Sequence, residues 1–211
     1  MDLRPGLEQN FSGFHSSVRR AIRKAEASGL TLQIEQTQEA MRDFQSLHIR
    51  TRRRHGVPPQ PPAFFRHIHE EIIKPGQGFI AIARRGPIAL AAEVFFIWKE
   101  KALYKFGASE QSSQSLRANN LVMWEAIRHL ANKGIQELDF GRTAVDHEGL
   151  RRFKLGWGTE ERLIPYSRFD VAAGEWRPAR STNPTLLTHL FGHMPLVVNQ
   201  LAGRLLYRHL D

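Results

Sequence analysis

Ala102-Leu103-Tyr104-Lys105-Phe106-Gly107-Ala108, the polar stretch Ser109 to Ser115, the run Leu116 to Lys133, Gly134, and Ile135-Gln136-Glu137-Leu138-Asp139-Phe140 decide the fold. The first piece is apolar and strand-like. In the run from Leu116 to Lys133, Leu116, Asn120, Met123, Ile127 and Leu130 recur on one helical face, and Gly134 stops the helix. The last piece is a short buried strand. A strand–helix–strand crossover requires parallel pairing and a covered sheet. The strands near 102–108 and 135–140 are therefore expected to pair in parallel, with 116–133 the longest helix of residues 30–171.

Upstream, Phe79 to Ala83, a turn at Arg85-Gly86-Pro87, Ile88 to Trp98 and a second turn at Lys99-Glu100-Lys101 read as an antiparallel meander. Before it come a basic helix over 16–28, capped by Ser16 or Ser17 and ended by Gly29, and a strand from Thr31 to Glu35. The basic helix has a thin apolar side, Val18, Ile22 and Ala25, which predicts weak anchoring. Met41, Phe44, Leu47 and His48 mark a helix over 38–54, which Pro58-Pro59-Gln60-Pro61-Pro62 breaks. A second helix carries Phe64, Phe65, Ile68 and Ile72. Downstream, 148–157 reads as a short helix or turn, 162–171 as a last strand and 174–184 as a linker. A helical pattern over 184–210 is interrupted at Gly192 and Pro195; Val197, Val198, Leu201, Leu205 and Leu206 form its apolar side, with Arg204 and Arg208 nearby. It is expected to pack on the domain, with a partner or a membrane surface as alternatives.

The 211 residues suit one domain with its own core. No cysteine is present, which excludes disulfides, a Cys-ligated zinc site and a thiol nucleophile. The longest apolar run, Pro87 to Trp98, has 12 residues and contains Glu93, too short and too polar to span a bilayer. Met1-Asp2-Leu3-Arg4-Pro5 lacks the apolar stretch of a signal peptide. A cytoplasmic setting is expected, with the inner-membrane surface as a peripheral alternative. Thirty Lys and Arg against 21 Asp and Glu give a net charge of +9. Arg19, Arg20, Arg23 and Lys24 form one cluster, and Arg50, Arg52, Arg53 and Arg54 another. They are either solvated helix faces or contacts for a polyanion, whether nucleotide, phosphorylated lipid carrier, tRNA or anionic membrane.

Phosphate-loop, dinucleotide-fingerprint and nucleophile-elbow motifs are absent. His69-Glu70 opens a zinc-protease pattern that fails at Ile73, so His67 and His69 are read as surface residues. A denser constellation lies in the second half. Asp139-Phe140-Gly141-Arg142 ends the buried strand, and Arg151-Arg152-Phe153-Lys154-Leu155-Gly156-Trp157-Gly158 follows. A carboxylate and an arginine at a strand end suit a ligand crevice. Phe153 and Trp157 share a helix face and would direct Lys154 toward Asp139 and Arg142, where an ammonium stabilises an oxyanion or a phosphate. In the competing reading Asp139 caps the next turn, Arg142 pairs with it and Lys154 is solvated. Glu93, inside an apolar strand on the face of Ala91, Phe95 and Ile97, is a candidate base, either buried or at a sheet edge.

These residues resemble the Fem-like branch of the GNAT acyltransferase superfamily, in its C-terminal half. The resemblance rests on the Asp139-to-Arg142 strand end, on Gly149-Leu150-Arg151-Arg152-Phe153-Lys154 with Trp157-Gly158, on Tyr104 to Ala108, and on Arg117-Ala118-Asn119-Asn120-Leu121 opening the long helix. The leading helix Arg19 to Ala25 matches too, and the tail from Met194 resembles that of members linked to exosortase and exopolysaccharide systems.

The resemblance implies an α/β GNAT-like fold: a mixed, splayed central sheet flanked by helices, followed by a C-terminal helical tail. It divides the chain into 1–29, a basic leading helix and linker remnant; 30–171, the acyltransferase domain; and 172–211, linker and tail. Full-length relatives usually carry two such halves, so a missing N-terminal half is an expected partner. The implied activity is N-acyl or aminoacyl/peptidyl transfer onto an anionic small-molecule or lipid-linked precursor of the cell envelope or an exopolysaccharide. The alternative is a non-catalytic half that binds such a precursor or a partner protein. Acyl-CoA and aminoacyl-tRNA are the implied donors. Lys154, Asp139 and Glu93 are the catalytic candidates, and Arg142, Phe153, Arg117, Asn119, Asn120 and Tyr104 the substrate-binding ones. No metal is implied. One departure stands out: the loop before the long helix, where acetyltransferases carry glycines for the CoA pyrophosphate, reads Ser109-Glu110-Gln111-Ser112-Ser113-Gln114-Ser115.

Overall fold

The computed structural model describes residues 1–178 and 186–207. Its helices are α1 (Leu7–Gly13), α2 (Ser16–Glu26), α3 (Gln38–Arg54), α4 (Pro62–Ile68), α5 (Ala118–Asn132), α6 (Glu148–Leu155), α7 (Leu186–His193) and α8 (Leu196–Leu206). Its strands are β1 (Thr31–Glu35), β2 (Gly78–Arg85), β3 (Ile88–Trp98), β4 (Lys101–Ser109), β5 (Glu137–Asp139), β6 (Ser167–Asp170) and β7 (Glu175–Pro178). The first five strands form one sheet in sequential order. Neighbours are antiparallel except β4 and β5, which pair in parallel at Lys101–Glu137, Ala102–Leu138 and Leu103–Asp139. The crossover through α5 is thus as expected. The architecture is α/β and GNAT-like: a mixed, splayed sheet between helices, with helices α7 and α8 after it.

The sheet is covered on both faces. Phe79, Ala81, Ala83, Ala91 and Phe95 face Ile22 of α2 and Val122, Met123, Ala126 and Ile127 of α5. Ile80, Ile82, Ala92 and Val94 face Met41, Phe44 and Leu47 of α3 and Phe65 of α4. Each strand alternates between these two cores, so β2 and β3 are buried on both sides. Residues 1–3 line the outer edge of β5, where Leu3 N–H donates to Gln136 O at 2.8 Å and Leu138 N–H to Met1 O at 2.9 Å.

Four expectations change. The longest helix of residues 30–171 is α3, with 17 residues against 15 in α5, because residues 111–116 wind as a 3-10 helix. Helix α2 is firmly anchored: Ile22 and Ala25 are fully buried against α5, and His15 N–H donates to Gly156 O at 2.9 Å. Three small apolar residues suffice because the surrounding aromatic rings are large; Phe14 meets Trp157 edge-on at 5.1 Å. The last strand shortens to β6, which pairs with β7 as a separate hairpin where a linker is expected. His69 is buried in a π-helical turn (His69–Ile73), its Nε2 within 3.0 Å of Gln36 O; His67 is exposed as expected. The rest of the linker, over 179–185, and Arg208 and Leu210 lie outside the described residues.

Helices α7 and α8 lie against α3. Gly203 of α8 packs on the Pro59 carbonyl, and Phe64 meets the Tyr207 ring at 5.5 Å. The residues that α8 buries are Asn199 and Gly203, whereas Val197, Val198, Leu201 and Leu205 face outward. The tail does pack on the domain, with its polar side inward, opposite to the usual amphipathic arrangement.

One irregularity shapes the site. Glu93 pairs with Gly107 and Val94 with Phe106, but Phe95 pairs with Tyr104. Lys105 is therefore an extra residue, a β-bulge in β4. Across it the alternation slips by one, which brings Tyr104 and Gly107 to the same face as Glu93.

Candidate active site

Strand β3 is the middle of the five, so Glu93 has no solvent edge to reach. It is 1% exposed, and its Oε2 has no hydrogen-bond partner. Burial pushes its carboxyl well above the ordinary range. Tyr104 packs its ring against Phe95 at 5.5 Å, and its hydroxyl lies over Gly107, the cross-strand partner of Glu93. Burial, and then the charge of Glu93, raise the Tyr104 hydroxyl pKa well above its usual value. Further along β4, Ser109 Oγ accepts from Asn119 Nδ2 at 3.2 Å. Glu93, Tyr104 and Asn119 thus line the α5 side of the sheet, joined through Gly107 and Ser109.

Beside them the sheet opens. Strand β5 pairs only with the first three residues of β4, while β4 runs on to Ser109. The backbone of β4 from Tyr104 onward accordingly has no strand on its β5 side, an edge that an extended ligand can pair with. The split starts where Gly141, at φ +69°, turns away close to Tyr104 O. At its other end α5 begins without a side-chain cap. Its N-cap Arg117 is exposed and left-handed at φ +59°, and Asn120 N–H donates to Arg117 O at 2.9 Å. An uncapped helix start presents backbone donors and a positive dipole end to an anion. The glycine-free loop thus reaches a left-handed turn by strain at Arg117, where a glycine would do so freely.

The remaining candidates form the far lip. Asp139 Oδ1 accepts from Gly141 N–H at 2.7 Å, so the carboxylate does cap its turn. Arg142 bonds the Tyr166 hydroxyl instead of Asp139. Lys154 is buried, and its Nζ donates to Gly141 O at 2.9 Å and Arg142 O at 3.2 Å. Burial lowers its pKa, while Asp139 opposes the shift. It is neither solvated nor free to swing toward a ligand: it pins the loop that follows β5. Phe153 is half-buried against Trp157, at 6.0 Å. The structure brings Glu93, Tyr104 and Asn119 together, and separately Asp139, Arg142, Lys154 and Phe153; Tyr104 meets Phe140 edge-on at 6.1 Å between the two groups.

Residues that the sequence reading does not count among the catalytic or substrate-binding candidates hold the mouth together. Ser109 O accepts from Thr51 Oγ1 at 3.3 Å and from Arg54 at 3.2 Å, and Arg50 pairs with Glu110 at 3.0 Å. A lone glycine inside a strand pattern, as at Gly107, is the one signal of the bulge that sequence offers. The two arginine clusters sit on α2 and α3, which cover opposite faces of the sheet, so they do not form the single basic groove that tRNA needs. Among the described residues, no group of three His, Asp or Glu could hold a metal ion, and no helix is long and apolar enough to cross a membrane.

Comparison with solved structures shows that this split sheet is a shared fold. FemX superposes with a TM-score of 0.69 at 16% identity over 76% of the chain and 57% of FemX. The chain thus spans little more than half of that protein. The aminoglycoside N-acetyltransferase AAC(6')-Iy, in complex with a CoA bisubstrate analogue, superposes at 0.53 with 16% identity, over 67% of the chain and 99% of its own. The ribosomal-protein-S18-alanine N-acetyltransferase of Escherichia coli does so at 0.50 with 12% identity, over 70% of the chain and 88% of its own. These likenesses establish the fold. No curated protein sequence matches the chain. The profile of the acetyltransferase (GNAT) domain family matches residues 12–166, nearly three quarters of the chain, and takes in α2, the sheet and α6. On that match the chain belongs to the GNAT acetyltransferase domain family.

Proposed function

We propose that this protein is an N-acyltransferase that moves an acyl group from acyl-CoA to an amine, with Glu93 as the base. The observation that carries the reading is the buried, unpartnered Glu93 carboxyl beside the open edge of β4. The open edge and the uncapped start of α5 suit an extended donor with an anionic end, as CoA is. When bound, the donor supplies a thioester carbonyl activated for attack. Glu93 takes the proton from the amine as its nitrogen bonds to that carbon, and gives it to the leaving sulfur as the C–S bond breaks. Backbone N–H groups of β4 past Leu103 are the donors in reach of the developing oxyanion. Tyr104 and Asn119 position the reacting groups. Lys154, Asp139 and Phe153 shape the far lip, and Arg142 borders it. In this reading the acceptor is an amine-bearing, anionic or lipid-linked envelope or exopolysaccharide precursor, consistent with the Fem-like resemblance.

The test combines a thermal shift with acetyl-CoA and longer acyl-CoAs, and thiol release in the presence of amine acceptors. Wild type is expected to be stabilised and to release CoA, while Glu93→Gln keeps the shift and loses release. Absence of a shift with every acyl-CoA would remove the donor assignment. A shift without release for any amine favours the second reading, a ligand-binding half without catalysis, to which the glycine-free loop before α5 lends weight.

A further inference from the structure

The end of α3 and the loop after β5 meet across the mouth of the split. The rings of His55, just beyond α3, and His147, at the start of α6, lie 6.4 Å apart. Both are exposed. Arg54 stands next to His55 and donates to Ser109 O, at the C-terminal end of β4. His147 Nδ1 accepts from Leu150 N–H at 3.3 Å, so in the neutral ring the proton sits on Nε2, leaving a donor at the opposite side. Arg52 is close by, with two of its donors on Pro58 O. Among the described residues, no carboxylate is within ion-pair reach of Arg52, Arg54, His55 or His147. Arg54, His55 and His147 therefore stand together with no ion-paired carboxylate among the described residues. Burial and then the charges of Arg54, His147 and Arg52 depress the His55 pKa, which reports the same positive potential.

We propose that Arg54, His55 and His147 form a binding site for a phosphate or pyrophosphate group carried by the acceptor. The groups come from two elements on either side of the opening at the C-terminal ends of β4 and β5, where α/β sheets take their ligands. A tetrahedral anion offers enough oxygens to accept from a guanidinium and two imidazoles at once, whereas a carboxylate offers two. The site differs from the α5 start, which is built from Arg117 and backbone amides after the other end of the loop. The word "acceptor" rests on the acyltransfer reading; the anion site itself stands on the cation cluster.

Isothermal titration of the whole chain with pyrophosphate, with and without saturating CoA, tests this. His55→Gln and His147→Asn are suitable variants, since both positions are exposed and asparagine also caps a helix. Each variant is expected to weaken pyrophosphate binding about tenfold, the loss of one hydrogen bond to a charged group, and CoA is expected to leave the affinity unchanged. No binding by the wild type, or binding by both variants as tight as that of the wild type, overturns the site. Displacement of pyrophosphate by CoA overturns its assignment to the acceptor. Failure of CoA itself to bind leaves the pyrophosphate result readable, so the two proposals fail separately.

Discussion

The Tyr104 hydroxyl occupies the space that a β-carbon on Gly107 would fill. The backbone at Gly107 is not in a glycine-only region, so the requirement for glycine there is the ring alone. Gly107→Ala is expected to push the ring away from Glu93, to cost about 1–3 kcal/mol as an overpacked core does, and to lower turnover. Removing the hydroxyl with Tyr104→Phe gives back part of that space. In a double-mutant cycle by denaturant unfolding, the pair should couple by at least ~0.5 kcal/mol. Strict additivity would show that the two residues do not compete for this space.

Glu93→Gln should leave the fold intact and lower kcat by a factor of about 10²–10⁴, the usual contribution of a positioned base. Stability supplies a second readout. The folded carboxyl keeps its proton above the range where the unfolded one ionises. The native state thus binds more protons, and wild-type stability falls as pH rises past the ordinary glutamate value. Melting temperatures from acid to neutral pH should show this decline in wild type and less of it in Glu93→Gln. Identical slopes would indicate that Glu93 ionises as freely in the fold as outside it.

Lys154→Ala is expected to lower stability, by about 1–3 kcal/mol, because it strands the Gly141 and Arg142 carbonyls that the ammonium now satisfies. A lysine aimed at a ligand or left in solvent would instead leave the melting temperature nearly unchanged. Lys154→Arg, which keeps donors at this position, should lose less than Lys154→Ala. A thermal melt of the three proteins decides.

His48 is buried among Phe44, Phe65 and Phe106, with its Nε2 within 2.7 Å of Gln60 Oε1. Burial brings its pKa down to about 4. Here the unfolded state binds the extra proton, so the stability is complete above about pH 6.5 and drains away as pH falls toward 4. The window is worth roughly 3 kcal/mol. Chemical denaturation at pH 7, 5.5 and 4 should show a steeper loss in wild type than in His48→Gln, which keeps a polar partner for Gln60.

The order of strands and the parallel crossover were legible because they rest on local pattern: the apolar run of Ile88 to Trp98 and the helical spacing from Asn120 to Leu130 survive in any environment. Glu93 could be named as a base candidate but not placed, since burial depends on β3 being central. The role of Lys154 was illegible for a different reason. Spacing sets the angle of a side chain on its helix, while the carbonyls it reaches belong to residues a dozen positions away. Helix α2 looked loose because its few apolar residues were counted without the aromatic rings of Phe14 and Trp157 that enclose them. His55 and His147 are 92 positions apart, and nothing local in either sequence context joins them.

The extra residue at Lys105 has a consequence for how such a site arises and travels. A strand of regular alternation places positions 104 and 107 on opposite sides, so no exchange of one amino acid for another can bring Tyr104 over Gly107. Only a bulge that takes Lys105 out of the alternation does that. Deleting Lys105 would make Tyr104, Phe106 and Gly107 a regular run with Tyr104 and Gly107 still on one face, whereas a regular ladder that keeps Lys105 would deliver them to different cores, with every side chain of the site still encoded. Grafts of β4 between relatives are therefore governed by reading frame before residue identity, and an alignment without a gap at this position compares the inside of one protein with the outside of another.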